Sequence, residues 1–247
     1  MNGLNILFPV LNEHLRLENG IERAYAYCKD YLSIPYAMTI IDNGSDDDTP
    51  EIGKRLADKY PEVEYVRIEE RGVGIAYKTG IERNTYDIVG YMDIDLSTDI
   101  SYLNKMIEAF EKDPSLEYVN GSRFSKESDT KGRKWYRKIT SIGLVILLKT
   151  VLKMKSSDAV CGFTFTRKET AERLVKECGP EKGWFYTIEF LLRAERAGIK
   201  IYDMPVEWTE DYNTTVKIWK TIKNYLKNIN RLRKTFRAED KANAKKN

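Results

Sequence analysis

The stretch Ile88-Val89-Gly90-Tyr91-Met92-Asp93-Ile94-Asp95 joins an apolar, β-forming run to two carboxylates separated by one residue. A strand that delivers acidic residues at its carboxyl end is a common way to seat a metal-bound phosphate in an open α/β sheet. Because 32% of the chain is charged, such a triplet also arises by chance, and its meaning depends on the segments around it.

Those segments alternate between strand-like and helix-like patterns. Apolar runs predict strands over residues 4–10, 36–41, 64–68 and 87–92. Helices are predicted over residues 15–31 and 49–60, and a third after the glycine loop at Gly72 and Gly74. This alternation predicts a doubly wound, mostly parallel α/β sheet. Later segments predict helices near residues 100–112 and 135–152 and strands near 118–120, 161–166 and 199–205.

The bulk composition describes a chain that can bury a full core. Its 247 residues are 42% hydrophobic without a Pro-, Ser- or Gly-rich linker, and a net charge of +3 does not argue for nucleic-acid binding. The three cysteines lack metal-ligand spacing and the start lacks a signal-peptide pattern, so we expect a cytosolic protein with reduced thiols. The longest apolar run, residues 142–148, is far shorter than the ~20 residues of a membrane-spanning helix.

We expect a main domain over residues 1–212, a basic amphipathic helix over 213–237 and a disordered tail over 238–247. Residues 216–232 place five apolar side chains on one stripe, surrounded by lysines and arginines. Such a helix either binds a membrane surface or docks on the domain with its basic face in water. The tail is rich in charge and poor in bulky apolar residues, as disordered segments are.

Four further motifs accompany Asp93 and Asp95: Phe-Pro-Val-Leu-Asn-Glu at residues 8–13, Ile-Ile-Asp-Asn-Gly-Ser at 40–45, Arg-Gly-Val-Gly at 71–74 and Asn-Gly-Ser-Arg at 120–123. Their order and spacing resemble the family 2 glycosyltransferases of GT-A fold, and within them the polyprenyl-phosphate (dolichyl-phosphate) mannose and glucose synthases. The resemblance covers about residues 4–225. It implies a GT-A type sheet flanked by helices.

The resemblance implies a divalent metal, Mg²⁺ or Mn²⁺, bound by Asp93 and Asp95, with Asp95 catalytic. Oxygen ligands suit both ions, and the metal would neutralise charge on the departing diphosphate. Ser97 stands where relatives often carry Gln, so a third protein ligand is left open. Two solvated loop acids are the alternative.

The resemblance also implies a nucleotide site in the first half of the chain. The matching residues are Pro9, Asn12, Glu13, Asp42, Gly44, Lys78 and Asp93. Residues 42–45 equally suit a simple turn, and Lys78 equally suits a solvated helix lysine. The glycine loop at residues 71–74 would lie against the nucleotide, and it lacks the position and final glycine of a dinucleotide fingerprint.

The acceptor phosphate is expected at Arg123, Arg137 and Ser141, with residues 142–148 contacting the lipid and Arg123 also counted as catalytic. The alternative is a mobile basic loop. Asp158 and Glu189 are interpreted as a base or as structural carboxylates. A phosphate monoester is already ionised at neutral pH and needs no base, whereas a hydroxyl acceptor does. His14, the only histidine, is interpreted as a surface residue.

These expectations combine into a metal-dependent, inverting transfer of a hexose from GDP-mannose or a UDP-hexose to a polyprenyl phosphate. The enzyme would be cytoplasmic and peripheral on the inner face of a membrane, with a membrane-protein partner or as a homo-oligomer. The alternatives are a saccharide hydroxyl acceptor in cell-envelope polysaccharide synthesis, a nucleotidyltransferase, and a non-catalytic nucleotide- or lipid-binding partner. A nucleotidyltransferase is disfavoured because residues 8–13 are not a glycine-rich basic loop.

Overall fold

The structure, a computed structural model, describes residues 1–132, 135–210 and 218–245, without the side chains of residues 136, 137 and 218–220. The strands found in these ranges are β1 (Leu4–Val10), β2 (Tyr36–Asn43), β3 (Val63–Ile68), β4 (Ile88–Met92), β5 (Tyr118–Ser122), β6 (Asp129–Lys131), β7 (Phe163–Arg167), β8 (Ile201–Pro205) and β9 (Glu207–Thr209). The main sheet has the order β3-β2-β1-β4-β7-β5-β8, and β6 pairs with β9 in a small second sheet.

The helices cover both faces of the main sheet. They are α1 (Leu17–Tyr31), α2 (Thr49–Lys59), α3 (Val73–Arg83), α4 (Tyr102–Lys112), α5 (Trp135–Leu152), α6 (Lys168–Glu177), α7 (Phe185–Arg196) and α8 (Ile218–Ala244). Buried side chains of α1, α2 and α4 share one apolar core with the sheet. Those of α3, α5, α6, α7 and α8 share a second core on the other face.

Strands β1 to β4 are mutually parallel where they pair, as the alternating pattern predicts. Strand β7 is antiparallel to both of its neighbours, β4 and β5, whereas β5 and β8 are parallel. The predicted α/β class with a mostly parallel, doubly wound sheet is therefore confirmed. Within the described ranges no helix combines the length and the apolar composition required to span a bilayer.

Four elements were not predicted. Ten of the twelve residues of α7 are buried, so this helix has no polar face from which a helical period could be detected. Helix α6 is amphipathic but short. Strands β6 and β9 have three residues each, of alternating exposed and half-exposed character, and they lack an apolar run.

Helix α8 has the contacts that the docking interpretation of the basic tail predicts. Ile229, Leu232 and Phe236 are buried in the second core, so this part of the helix packs its apolar side chains inward. The helix continues to Ala244, so the prediction of disorder from residue 238 is wrong for residues 238–244. Glu239 accepts a hydrogen bond from Arg193 at 2.7 Å, which ties this end to α7. The expected boundary at residues 212 and 213 lies outside the described residues.

Candidate active site

A crevice opens at the carboxyl ends of β1 and β4. The pairing between these strands ends at Leu7 and Tyr91, whereas β1 continues beside β2 as far as Val10. Pro9, which has no N–H to donate, falls in the part of β1 beyond its pairing with β4. In the sheet, β2 and β3 lie on one side of β1, and β4 lies on the other. The strand order therefore reverses between β1 and β4, and open α/β sheets bind ligands at such a topological switch point.

Asp93 follows β4 directly and has the most perturbed carboxyl group of this edge. Its burial and the neighbouring Asp95 raise the pKa of Asp93 to about 7, Arg123 counteracts this, and Glu13 adds to it. The carboxylates of Asp93, Asp95 and Glu13 are therefore near enough to repel one another. A concentration of negative charge at the mouth of a sheet is an arrangement that a cation would stabilise.

Asp95 is held by a short turn after β4. Its Oδ1 atom accepts the Ser97 N–H at 2.9 Å, and Leu96 has a φ of 52°. Among the described residues, no group of three or more His, Cys, Asp or Glu side chains converges as a ready metal site. Two carboxylates nevertheless fit Mg²⁺ or Mn²⁺, because such ions often take only one or two protein carboxylates and complete their shell with phosphate and water.

The loop after β1 is joined to the loop after β2 by hydrogen bonds. The backbone N–H of Asn12 donates to Ser45 Oγ at 2.9 Å, and Asn12 Oδ1 accepts the Asp46 N–H at 2.9 Å. The N–H of Glu13 donates to Thr49 Oγ1 at 2.8 Å. The two predicted nucleotide loops therefore form one rigid unit.

Two side chains of this unit have partners that the sequence did not indicate. The Glu13 carboxylate forms an ion pair with Arg16, one helical turn away, at 2.6 Å. His14, interpreted as an isolated surface histidine, is 43% exposed, but its Nδ1 lies 2.6 Å from Asp47 Oδ2. The histidine therefore belongs to the same loop pair.

Asp42 is fully buried, and both of its carboxylate oxygens are occupied. Oδ1 accepts the Ser45 N–H at 2.8 Å, and Oδ2 accepts the Tyr65 hydroxyl at 2.7 Å and Arg67 Nη1 at 2.9 Å. Gly44 has a φ of 85°, which favours glycine in this turn. The turn interpretation of residues 42–45 is thus supported, and Tyr65 and Arg67 on β3 are the partners that sequence reasoning missed.

The glycine loop before α3 packs against the chain itself. A Cβ atom on Gly72 would collide with the carbonyl of Lys182, and one on Gly74 would collide with Tyr186 Cβ. These glycines allow close approach to the segment that precedes α7, and the expectation that the loop also lies against the nucleotide stays a prediction. Lys78, further along α3, is 41% exposed and lies 3.7 Å from Glu82, as the solvated-lysine alternative predicts.

Arg123 and Asp158 form a buried, bidentate ion pair beside Asp93. Arg123 Nε donates to Asp158 Oδ2 at 2.7 Å and Nη2 donates to Oδ1 at 3.0 Å, with side-chain exposures of 8% and 0%. Burial alone would raise the pKa of Asp158, but Arg123 and its hydrogen bonds lower it. Asp158 therefore holds Arg123, which favours the interpretation of Asp158 as a structural carboxylate over a base.

The two other acceptor residues lie on α5. Arg137 is part of this helix, and its side chain lies outside the described residues. Ser141 follows one turn later and is half-buried. Residues 142–148, expected to contact lipid as a block, are divided between two sides of the helix, because Val145 and Leu148 are buried while Ile142 and Ile146 are exposed.

Glu189 is a structural carboxylate. It is completely buried in α7, accepts the Gly179 N–H at 2.9 Å and forms an ion pair with Arg231 of α8. Arg193 lies 3.7 Å away on the next turn. With both oxygens engaged by positive or donor groups, Glu189 is not placed to remove a proton from an acceptor.

Two contacts, one of Asp93 and one of Arg123, were missed. Gly162 packs its Cα against the Asp93 carboxylate, and the Asp93 N–H donates to the Gly162 carbonyl at 3.3 Å. Trp208 of β9 places its ring 5.5 Å from the Arg123 guanidinium carbon. Gly162 directly precedes β7, within the strand predicted near residues 161–166, whereas the three-residue β9 offered no signal for Trp208.

The family model for Glycosyl transferase family 2 matches residues 5–175. The chain is 27% identical over 221 residues to Glycosyltransferase AglD of Haloferax volcanii, covering 89% of this chain and 35% of that protein. It is 30% identical over 220 residues to the dolichyl-phosphate beta-glucosyltransferase of Dictyostelium discoideum, covering 84% and 66%. The chain therefore spans about a third and just under two thirds of the length of these two relatives.

Solved structures with the same fold come from more distant sequences. Glucosyl-3-phosphoglycerate synthase from Mycobacterium tuberculosis, in complex with UDP, matches with a TM-score of 0.65 at 16% identity, covering 89% of this chain and 75% of the other. The mannosyltransferase PcManGT from Pyrobaculum calidifontis, in complex with GDP-Man and Mn²⁺, matches with a TM-score of 0.57 at 19% identity, covering 86% and 57%. These likenesses confirm the GT-A type fold. Because the family match extends over residues 5–175 of a 247-residue chain, the protein belongs to glycosyl transferase family 2.

Proposed function

We propose that this protein transfers a hexose, with inversion, from a nucleoside-diphosphate sugar to a polyprenyl phosphate. The observation that carries the proposal is that Asp93, packed on Gly162, and Asp95, held by the Ser97 N–H, follow β4 at the switch point of a family 2 chain. The Dictyostelium relative's name, a dolichyl-phosphate beta-glucosyltransferase, supports a lipid phosphate as the acceptor.

Asp93 and Asp95 would hold a Mg²⁺ or Mn²⁺ ion. When bound, such an ion supplies Lewis-acid stabilisation of the diphosphate leaving group. Both residues are half-buried; the Ser97 N–H fixes the turn that holds Asp95, and Asp93 is packed on Gly162. In both contacts the carboxylate meets main-chain atoms, of Ser97 or of Gly162. The backbone therefore fixes the direction of each carboxylate.

The joined loops after β1 and β2 would bind the nucleoside. Pro9, Asn12, Glu13, Asp42 and Gly44 all lie on this unit, and the hydrogen bonds between its loops fix their relative positions. Because Asp42 is already satisfied by three donors, we assign it to shaping the loop, with direct nucleoside contact resting on Glu13 and the exposed backbone. Either UDP-hexose or GDP-mannose fits this proposal, and Lys78 would contact phosphate only after leaving Glu82.

A phosphate acceptor suits the chain because it requires no general base. Glu189, the carboxylate nearest in sequence to the base of hydroxyl-glycosylating relatives, is committed to Arg231 and the Gly179 N–H. An ionised phosphate attacks the anomeric carbon without losing a proton. Arg123, Arg137 and Ser141 would receive that phosphate, with Asp158 holding the Arg123 guanidinium flat through two hydrogen bonds.

A lipid acceptor implies work at a bilayer, so we propose a peripheral protein on the cytoplasmic face. Association with a membrane-protein partner or a second copy belongs to the same proposal. The peripheral location is supported by the chemistry of a lipid acceptor and by the dolichyl-phosphate acceptor in the name of the Dictyostelium relative.

The test is transfer from labelled donors to defined acceptors. The purified chain is incubated with UDP-glucose, GDP-mannose or UDP-N-acetylglucosamine, with Mn²⁺ or Mg²⁺, and with either a polyprenyl phosphate or a disaccharide. We expect label in an acid-labile lipid product with one donor. Label found only in the saccharide would favour the hydroxyl-acceptor alternative, and nucleotide binding without transfer or donor hydrolysis would favour a non-catalytic partner.

A further inference from the structure

The outward side of α5 carries an exposed apolar stripe. Its members are Trp135, Ile139, Ile142 and Ile146, which are 74%, 60%, 37% and 56% exposed. Successive members are four, three and four residues apart, a spacing that keeps side chains on one side of an α-helix. Val145, Leu148 and Leu152 on another side of the helix are buried in the second core. α5 therefore has two apolar sides, and among the described residues only the side of Val145, Leu148 and Leu152 is buried.

The segment that carries this stripe is strongly basic. Residues 130–157 contain eight lysines and arginines and no aspartate or glutamate, although the whole chain has 41 basic and 38 acidic residues. Lys138 and Lys149 are exposed on α5, and Lys153 and Lys155 are exposed just after it. The positions of Lys138 and Lys149 fall along the same flank of the stripe, because they are eleven residues, or about three turns, apart.

These features match one occupant, a bilayer with anionic lipids. Helices that lie in a membrane interface combine an apolar stripe with flanking lysines, and tryptophan is enriched at the level of the headgroups. A second copy of the chain is disfavoured, because a two-fold contact would bring the same basic flanks together. Helix α8, which sequence reasoning offered for this role, uses Ile229, Leu232 and Phe236 for packing.

We propose that α5 binds an anionic membrane surface, with Trp135, Ile139, Ile142 and Ile146 inserted and Lys138 and Lys149 at the headgroups. The α5 surface would be the side of the protein on which a lipid phosphate arrives. In this respect the inference rests on the proposed function. The chain after α5 leads directly to Asp158, the partner of Arg123. A membrane-bound α5 would thus hold the Arg123 corner of the crevice close to the lipid headgroups.

The test is binding of the full chain to vesicles in the absence of any sugar donor. Flotation is measured with phosphatidylcholine vesicles with and without phosphatidylglycerol, for wild type and for the triple variant Trp135→Ser, Ile139→Ser, Ile146→Ser. The matched control is Leu15→Ser, Tyr31→Ser, which removes side chains that are 84% and 65% exposed near the ends of α1, in the opposite helical layer. A charge variant, Lys138→Glu with Lys149→Glu, tests the flank. Thermal melts of all variants report folding.

Wild type and the α1 control should bind phosphatidylglycerol vesicles, the triple variant should bind at least about tenfold more weakly, and the charge variant should lose most of its salt-sensitive binding. Equal binding by the triple variant, or no binding by wild type at low salt, overturns the proposal. A wild-type dimer in sedimentation that the triple variant abolishes would assign the stripe to a second copy and overturn it too. If wild type binds vesicles but transfers no sugar, the proposed function fails while the membrane face stands.

Discussion

The carboxylate of Asp93 lies in the space that a Cβ atom on residue 162 would fill, so Asp93 can hold its place only because residue 162 is glycine. The Asp93 N–H also donates to the Gly162 carbonyl at 3.3 Å. The residue that follows β4 and the residue that precedes β7 are therefore fitted to each other, and the acidic pair depends on a contact with a segment far along the chain.

Gly162→Ala should displace the Asp93 carboxylate. We expect Mn²⁺-dependent nucleotide binding to weaken and transfer to fall by about 10- to 100-fold, because small displacements of reacting groups have effects of this size. The added methyl should lower the free energy of unfolding by roughly 1–3 kcal/mol. Titration calorimetry and denaturant unfolding measure the two effects.

The control for this substitution is Gly143→Ala on α5, where a Cβ would meet nothing within 4 Å. It should leave Mn²⁺-dependent nucleotide binding unchanged and stabilise the helix by up to about 1 kcal/mol. Normal metal-dependent binding by Gly162→Ala would show that the Asp93 carboxylate has no role in holding the ion.

Asp95→Ala should abolish transfer and the metal-dependent part of nucleotide binding, and Asp93→Ala should weaken both. The reason is that the diphosphate leaving group loses its main electrostatic stabiliser. Calorimetry with UDP and GDP, with Mn²⁺ or with EDTA, measures the binding. Asp99→Asn, which keeps an oxygen for the Ser101 N–H, is the control and should behave as wild type. Full activity of Asp95→Ala in EDTA would end the metal proposal.

Much of the fold follows from local patterns in the sequence. Strands β1 to β4 and the helices between them have clear periods of two or 3.6 residues, and the rule that ligands gather at the carboxyl edge then places Asp93, Asp95 and Glu13 together. The antiparallel direction of β7 has no local signal, because an apolar strand looks the same in either direction. Helix α7 has no polar face to reveal its period.

The partners of buried charges could not be predicted for a different reason. Asp42 with Arg67, Arg123 with Asp158, and Glu189 with Arg231 are 25, 35 and 42 residues apart. Each pair depends on how two elements pack, which single-residue properties do not encode. As a result, the sequence analysis assigned some carboxylates to ligands, whereas the structure gives Asp42, Asp158 and Glu189 partners within the protein.

Asp158→Asn should destabilise the protein by about 3–5 kcal/mol at neutral pH, since it leaves the buried Arg123 guanidinium without its counter-charge. The pKa of Asp158 in the folded state is lowered, so its carboxylate stabilises the fold fully above the unfolded pKa of about 3.9. This contribution is lost as the pH falls through the lower, folded pKa. Urea unfolding at several pH values measures the difference.

The gap in stability between wild type and Asp158→Asn should therefore narrow on acidification. Asp113→Asn, which removes an exposed ion pair with Lys200, should change stability little and serves as the control. A gap that stays constant into strong acid would contradict the assignment of the carboxylate as the charged partner of Arg123.

Glu189→Ala should lower stability by about 3–5 kcal/mol, because Arg231 and the Gly179 N–H lose a buried partner. Glu189→Gln keeps an acceptor for the Gly179 N–H and should be milder. Transfer per folded molecule should be near wild type in both variants, measured at a temperature where each is folded. A loss of kcat in Glu189→Gln without a loss of stability would restore Glu189 as a base.

Asp42→Ala should raise the donor KM more than it lowers kcat, since a contact or loop that positions the nucleoside acts alike on the ground and transition states. Tyr65→Phe removes one donor to the same carboxylate and keeps the charge, so its donor KM should change less. Steady-state kinetics with the preferred donor distinguish the two. An unchanged KM in both Asp42→Ala and Glu13→Ala would move the nucleoside away from these loops.

The insertion of β7 between β4 and β5 has a consequence for how the protein is made. β5 is synthesised before β7, yet β7 separates it from β4, so β5 has no neighbour on that side until residue 163 has left the ribosome. The first four strands can assemble early, because their pairings are close in sequence. Gly162 reaches Asp93 only with the later step. The acidic pair therefore reaches its final geometry late in folding. A nascent chain that stops before Gly162 carries both carboxylates but lacks the residue against which Asp93 packs.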